Sequence, residues 1–405
     1  MNRVVITGQG AVSSAGIGAD ALWQACLNGV TGVREIDLPE LPDQKVKFGA
    51  SIADTVTEAI DNKREARFQD RIARMARLAA NEAVQQAGLG EDDFGSRCGV
   101  VIGSGFGGAE TLDTNYLTWA KGNATRLDAL AIPKIMNNAS ASWLSMEFGI
   151  TGPTLCISTA CSSAGQSLGL AMQLVRSGVV DRCLAGGAEA CLVSGTFRAW
   201  EVLRVMTPTL CRPFSSDRNG MVLGEGAGVF VLETYESAKT RGAEILAELV
   251  GYGTTCDAGD LLRPDPAGAA GSMGEAIRDS GLTLEDVGYV NAHGTATVAN
   301  DITETEALRR VFGRDLKGVE MSSTKPIHGH ALGAAGALEM IVTVQALRNQ
   351  IAPPTINFTS VDPQINIDPV ANTAREISTN ACMSNSFAFG GINASLVIAR
   401  EGTVK

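Results

Sequence analysis

Two hydrophobic rhythms alternate along the chain. "RVVITG", "CGVVIGSG", "VVDRCLAGGAEA" and "GAGVFVLET" are short and rich in apolar or small residues, the pattern of strands buried on both faces. Between them, "GADALWQACLNG", "RIARMARLAANEAVQQAGL" and "YESAKTRGA" predict helices, the second amphipathic and closed by Gly88. A second series follows from residue 246. "EILAELVGYGTT", "DVGYVNAHGT" and "GVEMSSTK" predict strands, and "AAGSMGEAIRDSGL" and "GAAGALEMIVTVQALRNQ" predict helices. "CMSNSFAFGGINASLVIAR" predicts two closing strands around a glycine turn. The alternation implies an α/β fold with largely buried sheets. It divides the chain into two halves, 1–245 and 246–405. Each half has a strand, a turn with reactive side chains and a helix of small residues: "TACSSAGQSLGLA" in one, "HGHALGAAGALEM" in the other. That repetition suggests an internal duplication.

Composition narrows the class. The 405 residues include 46 glycines and only 5% aromatics, which favours close backbone packing. A formal net charge of −11 argues against general binding to nucleic acid or membrane surfaces, though not against a local basic patch. No apolar run approaches the roughly 18 residues of a membrane span, and the opening residues lack the pattern of a secretory signal. The nine cysteines are scattered. Cys26, Cys98, Cys183 and Cys256 read as reduced core thiols. Together these point to a cytoplasmic enzyme or binding protein.

Chemistry concentrates in four places. Cys161 lies between a strand-like and a helix-like run, among Ala160, Ser162, Ser163, Ala164 and Gly165. A thiol at a helix N-terminus can have its thiolate stabilised by the helix dipole, and small neighbours leave room for a substrate. A buried structural cysteine is the plain alternative. The three histidines all sit in glycine-flanked turns: His293 in "NAHGTAT", His328 and His330 in "STKPIHGHALG". No third ligand is usefully spaced for a metal at His328 and His330. "GSGFGG" lacks the spacing of a dinucleotide loop. "SNSFAFGG" sets Phe387 and Phe389 ahead of two glycines. It is either a strand end with core aromatics or a backbone N–H donor for an oxyanion.

These pieces, with "GGAEA" and "RPFSSDRNGMVLGEGAG", resemble the β-ketoacyl-acyl-carrier-protein synthases, condensing enzymes of the thiolase superfamily. The two histidines match the elongating type, and "WEVLRVMTPTLCRPFSSDRNG", "NAHGTATVAND" and "HGHALGAA" look most like the nodulation-type branch. The resemblance implies a five-layer αβαβα thiolase-like fold with two pseudo-duplicated halves, in a homodimer. It implies that Cys161 carries the acyl chain, and that the N–H groups of Cys161 and Phe389 hold the oxyanion. His293 and His330 would polarise the malonyl thioester as CO₂ departs. Lys325 and Glu304 would support them. Thr295 and Thr297 would contact the pantetheine arm or malonyl group. No redox or catalytic metal cofactor is implied; a structural monovalent cation near Asn291, Glu339, Ser384 and Asn385 is an option. The substrates would be malonyl- and acyl-thioesters of an acyl carrier protein.

Departures from the family pattern carry their own expectations. Ala388 replaces a glycine between the two phenylalanines and would stiffen the loop behind Phe389. Phe106 falls where relatives face the acyl tunnel, and would narrow it. Asn219 replaces an aspartate and would change only a local hydrogen bond. His328 reads best as a solvated turn residue. For an acidic carrier protein, Lys63, Arg64, Arg67, Arg71 and Arg74 form a basic run, with the last three on one helical face, and Arg204 is a further candidate. A solvated face is the alternative. A thiolase would need a second cysteine in a glycine turn, which Cys382 does not supply. A non-catalytic chain-length factor usually lacks the nucleophile that Cys161 provides.

Overall fold

The computed structural model describes residues 1–54 and 67–404. Among these residues, ten principal strands fall into two series of five. The first is β1 (Val4–Ser13), β2 (Cys98–Gly103), β3 (Thr154–Ile157), β4 (Arg182–Glu189) and β5 (Gly226–Thr234). The second is β6 (Ala247–Cys256), β7 (Val287–Asn291), β8 (Glu320–Ser322), β9 (Ala381–Ala388) and β10 (Ile392–Ala399). Their spatial orders are β3-β2-β4-β5-β1 and β8-β7-β9-β10-β6, the same permutation in each series. Orientations match too. The first two pairings in each are parallel and the last two antiparallel. β1 and β6 join the two sheets through Val5–Glu248 and Ile6–Ala247 only.

Strand alternation sorts the core into three apolar spaces. On β5, Phe230 and Leu232 face inward and Val229 and Val231 outward, as a two-residue period requires. The inner space holds α3 (Ser163–Arg176) and α8 (Ala335–Asn349) between both sheets: Leu168, Met172, Leu338 and Ile341 meet Phe230, Leu232, Leu396 and Ile398. Outside the first sheet, Ile72, Met75, Ala79 and Ala83 of α2 (Arg71–Ala87) cover Val100, Ile102 and Leu184. Outside the second, Met273 and Ala276 of α5 (Pro266–Ser280) cover Val290, Met383 and Val397. The layers therefore run helix, sheet, helices, sheet, helix. A further helix, α1 (Ala19–Asn28), packs on α8.

The duplication reaches the level of single glycines. A Cβ on Gly8 or Gly10 of β1 would lie 2.0 Å from the Ala83 or Ala79 carbonyl oxygen of α2. Gly251 and Gly253 of β6 stand in the same relation to Ala276 and Ser272 of α5, at 2.1 and 2.0 Å. Only glycine lets a helix backbone approach a strand so closely. The two inner helices also start alike. A 3₁₀ turn, Ala160–Ser162, precedes α3, and Leu332–Ala334 precedes α8. Each turn opens on a left-handed residue, Ala160 at φ 49° and Leu332 at φ 41°. Cys161 occupies the second position of one such turn, and Gly333 that of the other.

Candidate active site

The turn that carries Cys161 is held by its serines. Ser162 Oγ lies 2.9 Å from Ser386 O and 2.7 Å from Ile392 O and shares its one proton between them, which ties it to the β9–β10 hairpin. Ser163 Oγ donates to Ala160 O at 2.7 Å and accepts from Thr159 N at 2.9 Å, bracing the left-handed residue. His330 follows the single-turn helix α7 (Lys325–His328). Its backbone is pinned as a bridge to Leu223, with His330 N donating to Val222 O at 2.7 Å and Gly224 N to His330 O at 3.0 Å. This sets His330 Nε2 3.0 Å from Cys161 Sγ. His293 lies just past the end of β7, where its amide and that of Gly294 each donate at 2.8 Å to the carboxylate of Glu304 on α6 (Val298–Phe312). The two imidazole rings meet edge to face, centroids 5.3 Å apart. Phe387 closes the other side of His293 at 6.0 Å.

Lys325 is fully buried and donates to His293 O and to Glu339 Oε1, and reaches His293 Nδ1 at 3.4 Å. An ammonium has only protons to give, so His293 Nδ1 accepts and Nε2 carries the ring proton. Burial, then Lys325 and the neighbouring imidazole, hold His293 well below the usual histidine range. Burial, Lys325 and His328 do the same to His330. Both rings are neutral donors or acceptors at physiological pH. The thiol behaves differently from the expectation based on its helix terminus: burial pushes Cys161 up to about 12, with Lys325 working in the opposite direction. The resting group is a neutral thiol facing a neutral imidazole. Cys161, His293 and His330 offer donor atoms within 4.8 Å of one another, enough for a soft metal in principle. The adjacent Lys325 ammonium opposes a cation there.

Cys161, His293 and His330 share one cavity of about 180 Å³. Thr295, Thr297 and Asn300 line one side, and Trp200, Leu203, Val205 and Met221 another. Thr295 Oγ1 lies 2.9 Å from Thr297 Oγ1. Phe389, at the tip of the β9–β10 hairpin, stacks on Trp200 with centroids 5.9 Å apart. A thiol, two neutral imidazoles, a buried lysine and an apolar entrance form a site for thioester chemistry.

Comparison with known proteins gives this arrangement its context. Residues 1–238 match the family model "Beta-ketoacyl synthase, N-terminal domain", and residues 246–359 match "Beta-ketoacyl synthase, C-terminal domain". The chain belongs to the β-ketoacyl synthase family. Nodulation protein E of Rhizobium sp. (strain N33) is 42% identical over 395 residues, 97% of this chain and 98% of that one. The 3-oxoacyl-[acyl-carrier-protein] synthase 2 of Staphylococcus aureus (strain N315) is 37% identical over 406 residues, 98% of each chain. A solved type II polyketide acyl carrier protein in complex with its ketosynthase bound to the hexaketide includes a chain that superposes with a TM-score of 0.91. That match is at 29% identity and covers 98% of this chain and 99% of that one.

Several expected roles in this synthase need correction. Arg71 is not a surface residue. It begins α2 buried, with Nε and Nη2 on the Glu225 carboxylate at 2.9 and 2.7 Å and Nη1 on Asp54 at 2.7 Å. The helix starts there because Asp70 caps it, accepting from Ile72 N at 3.1 Å, so Arg67 precedes the helix and shares no face with Arg71 or Arg74. Arg67 is exposed over the Phe68 ring, and Arg74 is half-buried, donating to Gln69 O. Lys63 and Arg64 lie outside the described residues. Arg204 is exposed in a left-handed cap after α4 (Ser194–Leu203), between two residues of the cavity mouth. His328 is fully buried, 2.9 Å from Thr324 Oγ1, rather than solvated. Cys256 is exposed and not a core thiol. Phe106 is 41% exposed and stands outside the cavity that holds Cys161. Asn219 accepts from Thr207 Oγ1 at 2.6 Å.

Two residues escaped the sequence reading. Glu189, at the end of β4, is wholly buried and accepts from Gly105 N at 2.7 Å, Phe106 N at 3.1 Å and Gly333 N at 3.0 Å. It joins the Phe106 loop to the turn that follows His330. "GGAEA" contained the signal, an acid at the end of an apolar strand. Arg263 lines the cavity mouth from an irregular loop, where no periodicity marks it.

Proposed function

We propose that Cys161 of this synthase receives the acyl chain and that His293 and His330 drive decarboxylative condensation upon it. The Cys161 thiol passes its proton to His330 Nε2 as sulfur attacks the acyl-carrier thioester, and the carrier's thiol leaves with a proton. The malonyl thioester then enters. The His293 Nε2–H donates to its carbonyl oxygen as the C–C bond to the carboxylate breaks, CO₂ departs, and the electron pair spreads onto that oxygen. The resulting carbanion attacks the acyl-Cys161 carbonyl. N–H groups of Cys161 and Phe389 hold the oxyanion, and the tetrahedral adduct collapses to β-ketoacyl carrier and the Cys161 thiolate, which takes up the one solvent proton that the condensation consumes and returns to the thiol. Lys325 keeps His293 in the donating tautomer, and Glu304 fixes its backbone. Thr295 and Thr297 hold the arm or the malonyl group. The single carrying observation is the 3.0 Å contact of Cys161 Sγ with His330 Nε2, in one cavity with His293.

Incubation with an acyl carrier protein thioester and radiolabelled malonyl carrier protein tests this. Labelled β-ketoacyl product is expected from the wild type and none from Cys161→Ala; product from Cys161→Ala would sink the assignment. Nodulation protein E, at 42% identity, supports a specialised elongating branch. A homodimer is supported by β3, which ends the sheet with Leu155 exposed, and by exposed Phe106, Tyr116, Trp119 and Met146. Among the described residues no helix is long and apolar enough to cross a membrane, which fits a cytoplasmic enzyme. Asn291 Oδ1 and Glu339 Oε2 are buried without hydrogen-bond partners, which supports a structural monovalent cation held with Ser384 and Asn385.

A further inference from the structure

Arg263 is the one charged side chain among the described residues that line the catalytic cavity, apart from the two neutral histidines. It is exposed, whereas Cys161, His293 and His330 retain only 6%, 2% and 2% of their surface. It therefore marks the outer end of the channel. Its loop is pre-organised. Asp260 Oδ1 accepts from Leu262 N at 2.8 Å and Arg263 N at 3.0 Å, and Gly390 N donates to Leu261 O at 2.8 Å. Asp257 accepts from Asp265 N at 2.8 Å and from Asn393 Nδ2 at 2.7 Å. The backbone that carries the arginine thus needs little further ordering when the side chain meets an anion. Asp260 feels the Arg263 charge, but that carboxylate is already engaged by two backbone N–H groups. A second exposed cation, Arg204, flanks the mouth beside Leu203 and Val205.

Which anion belongs there follows from the reaction. A cation on the malonyl carboxylate would stabilise the ground state and oppose loss of CO₂. The thioester must lie deep, beside Cys161 and the imidazoles. The anion at the opposite end of a carrier's prosthetic arm is its phosphodiester. We infer that Arg263 recognises the phosphate of the phosphopantetheine arm and so selects phosphorylated thioesters. This rests on the reading of the cavity as a channel for carrier-bound thioesters. Guanidinium suits phosphate because its planar fork gives two parallel N–H bonds.

Calorimetric titration with 4′-phosphopantetheine and with pantetheine isolates the phosphate. The wild type should bind the phosphorylated compound about tenfold more tightly. Arg263→Ala should remove that difference by weakening only the phosphorylated compound, and Arg263→Lys should keep part of it. Equal or undetectable binding of both compounds by the wild type would overturn the inference, as would equal weakening of both in Arg263→Ala. Loss of affinity for the intact malonyl carrier protein, with no change for free phosphopantetheine, would reassign Arg263 to carboxylates on the carrier's surface and also overturn it. Decarboxylation of malonyl carrier protein is measured alongside. Its absence in the wild type would count against the catalytic reading and leave the binding comparison to stand or fall alone.

Discussion

At the scale of single residues, the site depends on neutral groups. Cys161, pushed up to about 12 by burial, stays a thiol until a thioester arrives. Alkylation of Cys161 by iodoacetamide should therefore climb steadily from pH 7 through pH 10 without a plateau, and His330→Ala should slow it several-fold at pH 8. A plateau below pH 8 would mean a standing thiolate. His328 offers a second test. Its folded form is held down to about 3 by burial and by Lys325, against the ordinary 6.5 of a histidine in the unfolded chain. Between those values the unfolded state takes up a proton that the folded state refuses. Stability from this group is complete above pH 6.5 and is lost as pH falls, by about 1.4 kcal/mol per pH unit. In His328→Asn the decline in melting temperature between pH 6.5 and pH 5 should be shallower than in the wild type. Parallel slopes would contradict this.

At the scale of elements, each helix sits where glycine or a capping side chain lets it. Gly253→Val would push a side chain into the Ser272 carbonyl 2.0 Å from its Cβ and force α5 off β6. A loss of about 1–3 kcal/mol or more in urea melts is expected. Gly274→Ala, with nothing within 4 Å of its Cβ, should not destabilise α5 and serves as the control. Glu189 tests a different element, the turn after His330. In Glu189→Gln a carboxylate oxygen becomes an NH₂ group facing N–H donors, so the turn loses acceptors it cannot replace. Decarboxylation turnover should fall about tenfold or more, while folding, read by circular dichroism, is retained. Strand positions and helix spans were legible from periodicity. The Asp70 cap starts α2 at Arg71 and leaves Arg67 outside it, a boundary that the spacing of the charges does not reveal.

At the scale of the whole molecule, the two sheets repeat one topology, but only one of the two matching turns carries a cysteine. Gly333 takes the place of Cys161 in the second turn, and its amide donates to Glu189. The exposed edge of β3 argues for a partner sheet. Leu155→Asp should give a monomer in analytical ultracentrifugation where the wild type gives a dimer. A wild type that sediments as a monomer would dispose of the proposed homodimer.

The sequence by itself determined the α/β rhythm, the two halves, and the cysteine and histidines of the site, because local periodicity and short motifs are written in neighbouring residues. It also carried the family resemblance along nearly the full length. Tertiary structure alone decided which charges are buried, that the thiol rests protonated, that Glu189 braces the His330 turn and that Arg263 stands at the mouth. Burial and charge environment depend on residues brought together from distant parts of the chain: Arg71 meets Glu225 across 154 positions, and Cys161 meets His330 across 169. No local pattern encodes such distances.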